Sequence, residues 1–433
     1  METTRVGVVG LGTVGTGVAR LLTEHRERIC RRAGHAVELA RVVVADLSKP
    51  REVGFDSGMI TDRLADLTAD QEISVVCQLI GGLEPARSIM LQLLESGKDI
   101  VTANKALLAE HGPELFDRAR ELGRSIAFEA SVGGGMPIIN SIGQCLSANR
   151  IDSLQGILNG TSNFIVSQME EQGWDFPAAL AEAQTRGYAE ADPRMDIDGS
   201  DAAQKLAILS HLAFGARLHW TDIPCVGIDD LEVVDLKYAR QLGYRIKLLA
   251  IAQRSNAGLE LHVSPTLVRS GQPLAEVRGS FNAVSVVGDA VGRVFLQGAG
   301  AGQMPTASAV VADLIDTAVG RTRITFQTLE LWSHGEARVK IRDHAEGSAH
   351  YYLRFMVDDH PGVLAEISGV LGRHQVSIAS LIQQPGECGY PSGQVPLVMM
   401  THSASEGAAA SAMEEIEQLP SVRGPGVRMR VLS

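Results

Sequence analysis

Apolar runs and polar breaks alternate along the first third of the chain at the spacing of strands and helices. Val6–Val9 is a short apolar run that reads as a buried strand, and Val14–Cys30 carries a helical pattern. Further strands are predicted at Val37–Ala45, Ile73–Ile80, Asp99–Val101 and Ser125–Glu129, with helices over Pro85–Ser96 and Pro113–Leu122. Strands alternating with helices predict right-handed βαβ units and a parallel, doubly wound sheet.

The pattern then changes to α+β. Pro137 suits the first position of a helix, Ile151–Leu158 is strand-like, and Ala178–Arg186 and Ala202–Leu212 read as helices. A helix over Leu236–Ala252 and a strand over Leu259–Pro265 are predicted next. Gly298–Gly302 precedes an apolar helix, Ala307–Val319, able to return to the first domain. The tail repeats none of this. Strand Tyr351–Val357, helix Gly362–His374, strands Val376–Gln383 and Val395–Thr401, helix Glu406–Gln418 and strand Val427–Leu432 form a βαββαβ, ferredoxin-like order. The implied division is 1–135 for a dinucleotide domain, 136–305 for a substrate-binding and dimerisation domain, 306–332 for the returning helix, 333–349 for a linker and 350–433 for a separate tail.

Bulk properties narrow the function. A chain of 433 residues exceeds one hydrophobic core, and roughly three domains are expected. The net charge of -12 is dispersed, which argues against a nucleic-acid partner because no basic stripe exists. Charges at Asp289, Arg293 and Asp313 interrupt the longest apolar region, Ala283–Val319, so no membrane partner is expected. Five cysteines, dispersed and without a C-x-x-C, suit reduced thiols in a cytoplasm. Cys388, in a glycine-flanked loop, is either redox-sensitive or an inert thiol.

The strongest motif is Gly10-Leu11-Gly12-Thr13-Val14-Gly15, placed between a strand and a helix. Gly10 makes the turn, Gly12 admits a pyrophosphate against the backbone, and Gly15 permits close helix packing. Asp46, after the second strand, suits a ribose hydroxyl and hence NAD, whereas Lys49 and Arg51 suit the 2′-phosphate of NADP; both remain open. Val101–Lys105 ends a strand, where ligands of open α/β sheets bind, so Lys105 is expected near a nicotinamide. Asp201 and Lys205 fall four apart on one helix face, where a carboxylate can orient a lysine. A lysine in apolar surroundings exchanges protons closer to neutral pH than one in water, as acid/base work requires. Asn159-Gly160-Thr161 offers polar groups to a small substrate, or is a turn and helix cap. Glu129–Pro137 is a glycine-rich loop with hard oxygen donors for a cation, or a plain turn.

Together these strings resemble the homoserine dehydrogenase family. The resemblance rests on Gly10–Gly15, Val101–Lys105, Glu129–Gly133, Gly156–Asn163, Gly187–Pro193, Asp198–Lys205, Gly298–Gly302 and Pro305-Thr306, in that order. Asp358-Asp359-His360-Pro361-Gly362-Val363-Leu364 is similar to the start of an ACT domain, an amino-acid-sensing module. The resemblance implies a Rossmann-like first domain and NAD(P)-dependent interconversion of L-homoserine and L-aspartate 4-semialdehyde, a step toward threonine, methionine and isoleucine. It implies Lys205 as general acid/base, Lys105 between nicotinamide and substrate, and substrate contacts at Asn159, Gly160, Thr161, Glu190, Asp196 and Asp201. Glu129 with the carbonyls of Val132, Gly134 and Met136 matches a site for sodium or potassium, and Gly302 a late cofactor contact. Met195 stands where some members carry a second acid. An effector such as threonine is expected at Asp358, His360, Pro361, Gly362, Val363 and Leu364, and a homodimer or homotetramer is expected.

Two rival readings remain at this level. One is a related dehydrogenase acting on another amino-acid aldehyde. The other is a non-catalytic sensor that joins a nucleotide domain to an amino-acid module, which has no use for both Lys105 and Lys205.

Overall fold

The computed structural model describes residues 3–51, 53–54, 58–329, 337–383 and 393–432; Cys388 and residues 333–336 of the expected linker lie outside these. The chain forms two compact units. The first comprises 1–154, 201–223 and 281–340, and the second 155–200, 224–280 and 341–433.

In the first unit, six parallel strands form one sheet: β1 (Thr3–Val9), β2 (Ala36–Val43), β3 (Ile60–Thr61), β4 (Ile73–Gln78), β5 (Asp99–Thr102) and β6 (Ile126–Ala127). Their order is β3-β2-β1-β4-β5-β6. The order reverses between β1 and β4, and the crevice outside the carboxyl ends there is the ligand position of a doubly wound fold. Val6, Val8, Val42, Val75 and Val101 pack beneath the helices Thr13–Glu24 and Gln303–Ala318, whose Val18, Leu21, Val310 and Leu314 complete the core. Those helices touch closely at Gly17, where a Cβ would lie 2.8 Å from the Ala307 Cβ and 2.9 Å from the Gln303 carbonyl oxygen.

Three expectations in this unit need correction. The helix predicted over Val14–Cys30 is two, Thr13–Glu24 and Arg26–Ala33, because His25 leaves the helical region (φ -117°, ψ 23°). The helix predicted from Pro113 is present, but an unforeseen helical segment from Lys105 precedes it, and the two join across a kink at His111 into Lys105–Glu121. Pro113 falls in the first turn of the second segment, where its missing N–H is tolerated. The apolar stretch after Phe281 contains an unforeseen hairpin, Phe281–Gly288 paired antiparallel with Gly292–Ala299.

In the second unit, β7 (Tyr244–Ser255) and β8 (Gly258–Arg269) pair antiparallel along their full length. The helix predicted over Leu236–Ala252 is therefore wrong. A helix covers Val233–Gln241, Gly243 at φ +82° follows it, and a strand takes over. Ile246–Ala252 are all buried, so the strand shows no polar alternation, and a continuous Leu/Ala-rich run is indistinguishable from a buried helix by period.

The tail folds as the βαββαβ order predicts. Strands β9 (Ser348–Asp358), β10 (Ile378–Gln383), β11 (Gln394–Thr401) and β12 (Val427–Val431) lie in the order β12-β9-β11-β10. Tyr351, Leu353, Phe355 and Val357 alternate onto one face and pack under the helices Val363–Arg373 and Glu406–Glu417. The intervening Tyr352 and Arg354 point the other way. Tyr352 Oη donates to Asp235 Oδ1 at 2.8 Å, and Arg354 donates to both Asp235 oxygens at 2.6 and 3.0 Å. At its outer edge β12 runs parallel to β8, pairing Arg430 with Thr266 and Val431 with Leu267. Among the described residues no helix is long and apolar enough to cross a membrane.

Candidate active site

The loop after β1 has the form its glycines require. Gly10 sits at φ +96°, a conformation that L side chains rarely adopt, and its N–H donates to the Val43 carbonyl at 2.9 Å. A Cβ on Gly15 would lie 2.1 Å from the Gly10 carbonyl oxygen, so the helix Thr13–Glu24 can start here only with glycine. A Cβ on Gly12 would meet nothing within 4 Å, which leaves its backbone open to a pyrophosphate. No side chain caps this helix, which leaves its N-terminal N–H groups available to an anion. The residues present thus fit a dinucleotide. Gly302, at φ +119°, begins the helix Gln303–Ala318 beside the glycine-loop helix, where Arg20 Nη1 donates to Gln303 Oε1 at 3.4 Å.

Asp46 follows β2 and is exposed. Its Oδ1 accepts from the Ser48 N–H at 2.8 Å and Ser48 Oγ at 2.6 Å, and these two bonds hold its carboxyl below the usual range. Arg51 turns back onto the carbonyls of Asp46, Leu47 and Lys49.

At the end of β5, Asn104 caps the helix that starts with Lys105. Its Oδ1 accepts from the Leu107 N–H at 3.0 Å, while its Nδ2 donates to the carbonyls of Ile80 and Gly82 at 3.0 and 2.7 Å. One side chain therefore sets both the direction of Lys105 and the loop beyond β4. Thr102 adds a bond to the Gln78 side chain at 3.0 Å. Neither Asn104 nor Thr102 received a role from the sequence, although a capping residue directly before Lys105 was a usable signal.

Lys105 and Lys205 come together through Asp201. Lys105 Nζ lies 3.0 Å from Asp201 Oδ1, and Lys205 Nζ lies 2.6 Å from Asp201 Oδ2. Asp201 and Lys205 are buried on the helix Ser200–Phe214, whereas the Lys105 side chain is 36% exposed. One negative charge held between two positive ones is far cheaper to bury than any of the three alone. The arrangement presents ammonium N–H groups, oriented by a carboxylate, at the carboxyl end of the sheet.

The remaining candidates in this unit surround a second glycine loop. Glu129 is buried, and its two oxygens accept the N–H groups of Ile139 and Asn140, each at 2.8 Å. Burial, only partly offset by those bonds, pushes its carboxyl up to about 7. The Glu129 N–H donates to Asp313 at 2.7 Å, and burial raises that carboxyl as well. Asp313 was missed; a single acid on an apolar helix face was the available signal. Gly133 and Gly134 have positive φ, and the Met136 carbonyl accepts from the Ile138 N–H at 2.8 Å. A Cβ on Gly134 would lie 2.6 Å from Gly300, so the loops around Val132 and Gly300 pack directly together.

The other candidates lie in the second unit. Asn159 caps the helix Gly160–Gln172, accepting from the Ser162 N–H at 2.7 Å, and its Nδ2 donates to Asp196 at 2.7 Å. Thr161 Oγ1 donates to the Tyr188 carbonyl at 2.7 Å, and Glu190 is exposed. In the tail, Asp358 is paired with Arg423, and Arg423 holds its carboxyl below the usual range. Gly362 caps the helix Val363–Arg373 at φ +105°, Leu364 is 41% exposed, Val363 is buried, and His360 Nδ1 lies 3.1 Å from the Pro361 carbonyl.

Comparison with known proteins places these motifs. Residues 10–129 match the family model of the homoserine dehydrogenase NAD binding domain, 137–315 that of homoserine dehydrogenase, and 351–421 that of the ACT domain. The chain is 45% identical over 439 residues to the homoserine dehydrogenase of Pseudomonas aeruginosa, covering 100% of this chain and 99% of that one. It is 43% identical to the homoserine dehydrogenase of Synechocystis sp., covering 100% of each. The crystal structure of a homoserine dehydrogenase from Thiobacillus denitrificans superposes with a TM-score of 0.92 at 43% identity, over 100% of this chain and 99% of that one.

Proposed function

Because the chain belongs to the homoserine dehydrogenase family, we propose that Lys205, Lys105 and Asp201 are its reaction centre. The protein is an NAD(P)-dependent oxidoreductase of amino-acid biosynthesis, interconverting L-homoserine and L-aspartate 4-semialdehyde. The observation that carries the reading of the centre is the shared carboxylate: Asp201 holds both lysine ammonium groups.

When bound, the nicotinamide dinucleotide donates or accepts the hydride. Gly10, Leu11, Gly12, Thr13, Val14 and Gly15 would hold its pyrophosphate through backbone N–H groups, with Asp46 for the ribose and Gly302 for a late contact. Lys205 delivers a proton to the aldehyde oxygen in reduction and removes the hydroxyl proton in oxidation. Lys105 donates a hydrogen bond to the same oxygen. Asp201 fixes both ammonium groups, so little reorganisation is needed as charge develops. The family resemblance assigns substrate contacts to Asn159, Gly160, Thr161, Glu190 and Asp196 as well.

Three further parts belong to the same proposal. The carbonyls of Val132, Gly134 and Met136 would hold a sodium or potassium ion, with Glu129 as the acid beside them. The Asp358–Leu364 turn takes an amino-acid effector such as threonine. The chain acts as a homodimer or homotetramer in the cytoplasm.

Reduction of aspartate 4-semialdehyde with NADH and with NADPH, followed by nicotinamide absorbance, tests the reading. Turnover with either nucleotide supports it. Absence of turnover with both, alongside intact nucleotide binding, favours the sensor. Replacing sodium and potassium with choline tests the ion, and a threonine titration of the full chain tests the effector.

A further inference from the structure

A row of polar groups closes the carboxyl edge of the first unit's sheet beneath Lys105. Val9, Gln78 and Thr102 are the last residues of β1, β4 and β5, and they pair side by side, Val9 with Gln78 and Gln78 with Thr102. Gln78 and Thr102 are fully buried. The Thr102 hydroxyl accepts the Asn104 N–H at 3.1 Å, and it lies 3.0 Å from the Gln78 side-chain oxygen and 3.1 Å from the Gln78 carbonyl. Hydrogen bonds made away from water are strong and stiffen what they join.

Asn104, itself buried, extends this row in two directions. Its Oδ1 caps the helix that begins with Lys105, and its Nδ2 directs both hydrogens to carbonyls beyond β4, those of Ile80 and Gly82. Ile80 in turn lies against the glycine loop. A Cβ on Gly10 would sit 2.7 Å from Ile80 Cγ2 and 3.1 Å from the Ile80 nitrogen. Gly81 and Gly82 have no side chains to fix their path, and a Cβ on either would meet nothing within 4 Å, so the bonds from Asn104 are what hold this segment. The Gly10 turn, Ile80–Gly82, Asn104 and Lys105 therefore form one connected series.

We propose that Asn104 is a positioning residue for the reaction, acting through Lys105: it fixes the base of that side chain relative to the glycine loop. Asp201 holds the ammonium at 3.0 Å, but the long stem between leaves the backbone free unless a second restraint holds it. The chemistry of the position calls for an amide. One acceptor must cap the helix and two donors must meet two carbonyls. An ionised aspartate caps without donating, and a serine has one hydrogen. This role rests on Lys105 belonging to the reaction centre.

Steady-state kinetics of the full chain, with aspartate 4-semialdehyde and NADH or NADPH, tests the assignment on Asn104→Asp, Lys105→Ala and the double variant. Asn104→Asp keeps the size and the cap and loses both donors. Its kcat should fall roughly 10–100-fold, the effect of a small misplacement of a reacting group. Nucleotide affinity, followed by fluorescence, should stay near wild type. In the Lys105→Ala background the same change should cost little, because a residue acting through Lys105 then has nothing to place. An undiminished kcat in Asn104→Asp, or an equal fall in both backgrounds, overturns the proposal. Should Asn104→Asp not fold, Thr102→Val, which removes the acceptor of the Asn104 N–H, is judged by the same comparison, with a smaller fall expected. Wild-type turnover in Lys105→Ala removes Lys105 from the reaction and Asn104 with it. A slow Lys105→Ala beside an unimpaired Asn104→Asp removes the positioning role alone.

Discussion

Lys105 and Lys205 bond to opposite oxygens of one carboxylate, Asp201 Oδ1 at 3.0 Å and Oδ2 at 2.6 Å. Two ammonium groups are thereby held near each other without facing each other unscreened. Lys205→Ala should lower kcat by ~10²–10⁴ with nucleotide affinity retained. Asp201→Asn keeps the shape but removes the charge between the lysines, and a large fall in kcat is expected there too. Steady-state kinetics with a separate nucleotide-fluorescence titration checks both. Near-wild-type turnover in Lys205→Ala would remove it as the acid/base.

The glycine loop separates folding from binding. Gly12→Ala introduces a methyl that meets nothing within 4 Å in the protein. Its melting temperature should match wild type while nucleotide affinity falls. Gly15→Ala places the methyl 2.1 Å from the Gly10 oxygen, so both stability and affinity should drop. Equal nucleotide affinity in Gly12→Ala and wild type would show that the pyrophosphate does not approach there.

Asp235, fully buried, ties the tail strand β9 to the helix Val233–Gln241 through Tyr352 and Arg354. Asp235→Ala strands a buried guanidinium, which retains Glu232 at 2.8 Å as its remaining carboxylate partner. Breaking a buried pair from one side costs about 3–5 kcal/mol. Urea unfolding should show a loss of that order, and a loss below about 1 kcal/mol would mean that water or Glu232 compensates.

Lys247 is 1% exposed and donates to the Asn163 side chain at 3.1 Å and the Val277 carbonyl at 2.6 Å. Burial pushes its ammonium down from 10.5 to about 8. Between those values the unfolded chain binds more protons than the folded one, so the Lys247 contribution to stability rises with pH. Below about 8 both states are protonated and that dependence vanishes. The melting-temperature gap between wild type and Lys247→Met should therefore shift in favour of wild type as pH rises from 8 toward 10.5. A gap that is flat or shifts the other way would place Lys247 in its charged form throughout.

Elements with a strong local period were legible. The tail strand predicted over Tyr351–Val357 is present, and its Tyr351, Leu353, Phe355 and Val357 alternate inward. The Leu236–Ala252 error has the opposite cause: β7 is buried on both sides, so its residues carry no period to separate strand from helix. The helix start at Pro113 was legible, whereas the segment from Lys105 to the kink at His111 was not, being too short to show a period.

Short-range rules also picked out the candidate residues. A glycine needed for positive φ at Gly10, and an acid and a lysine one helical turn apart at Asp201 and Lys205, depend only on neighbours along the chain. What the tertiary structure alone decided is which of those groups meet. Lys105 reaches Asp201, Asp313 reaches Glu129, and Arg430 reaches His262 and Glu260 across long stretches of chain. Such encounters follow from strand order and helix packing, where the free energy of burying the whole core sets the geometry and no local preference records the partner.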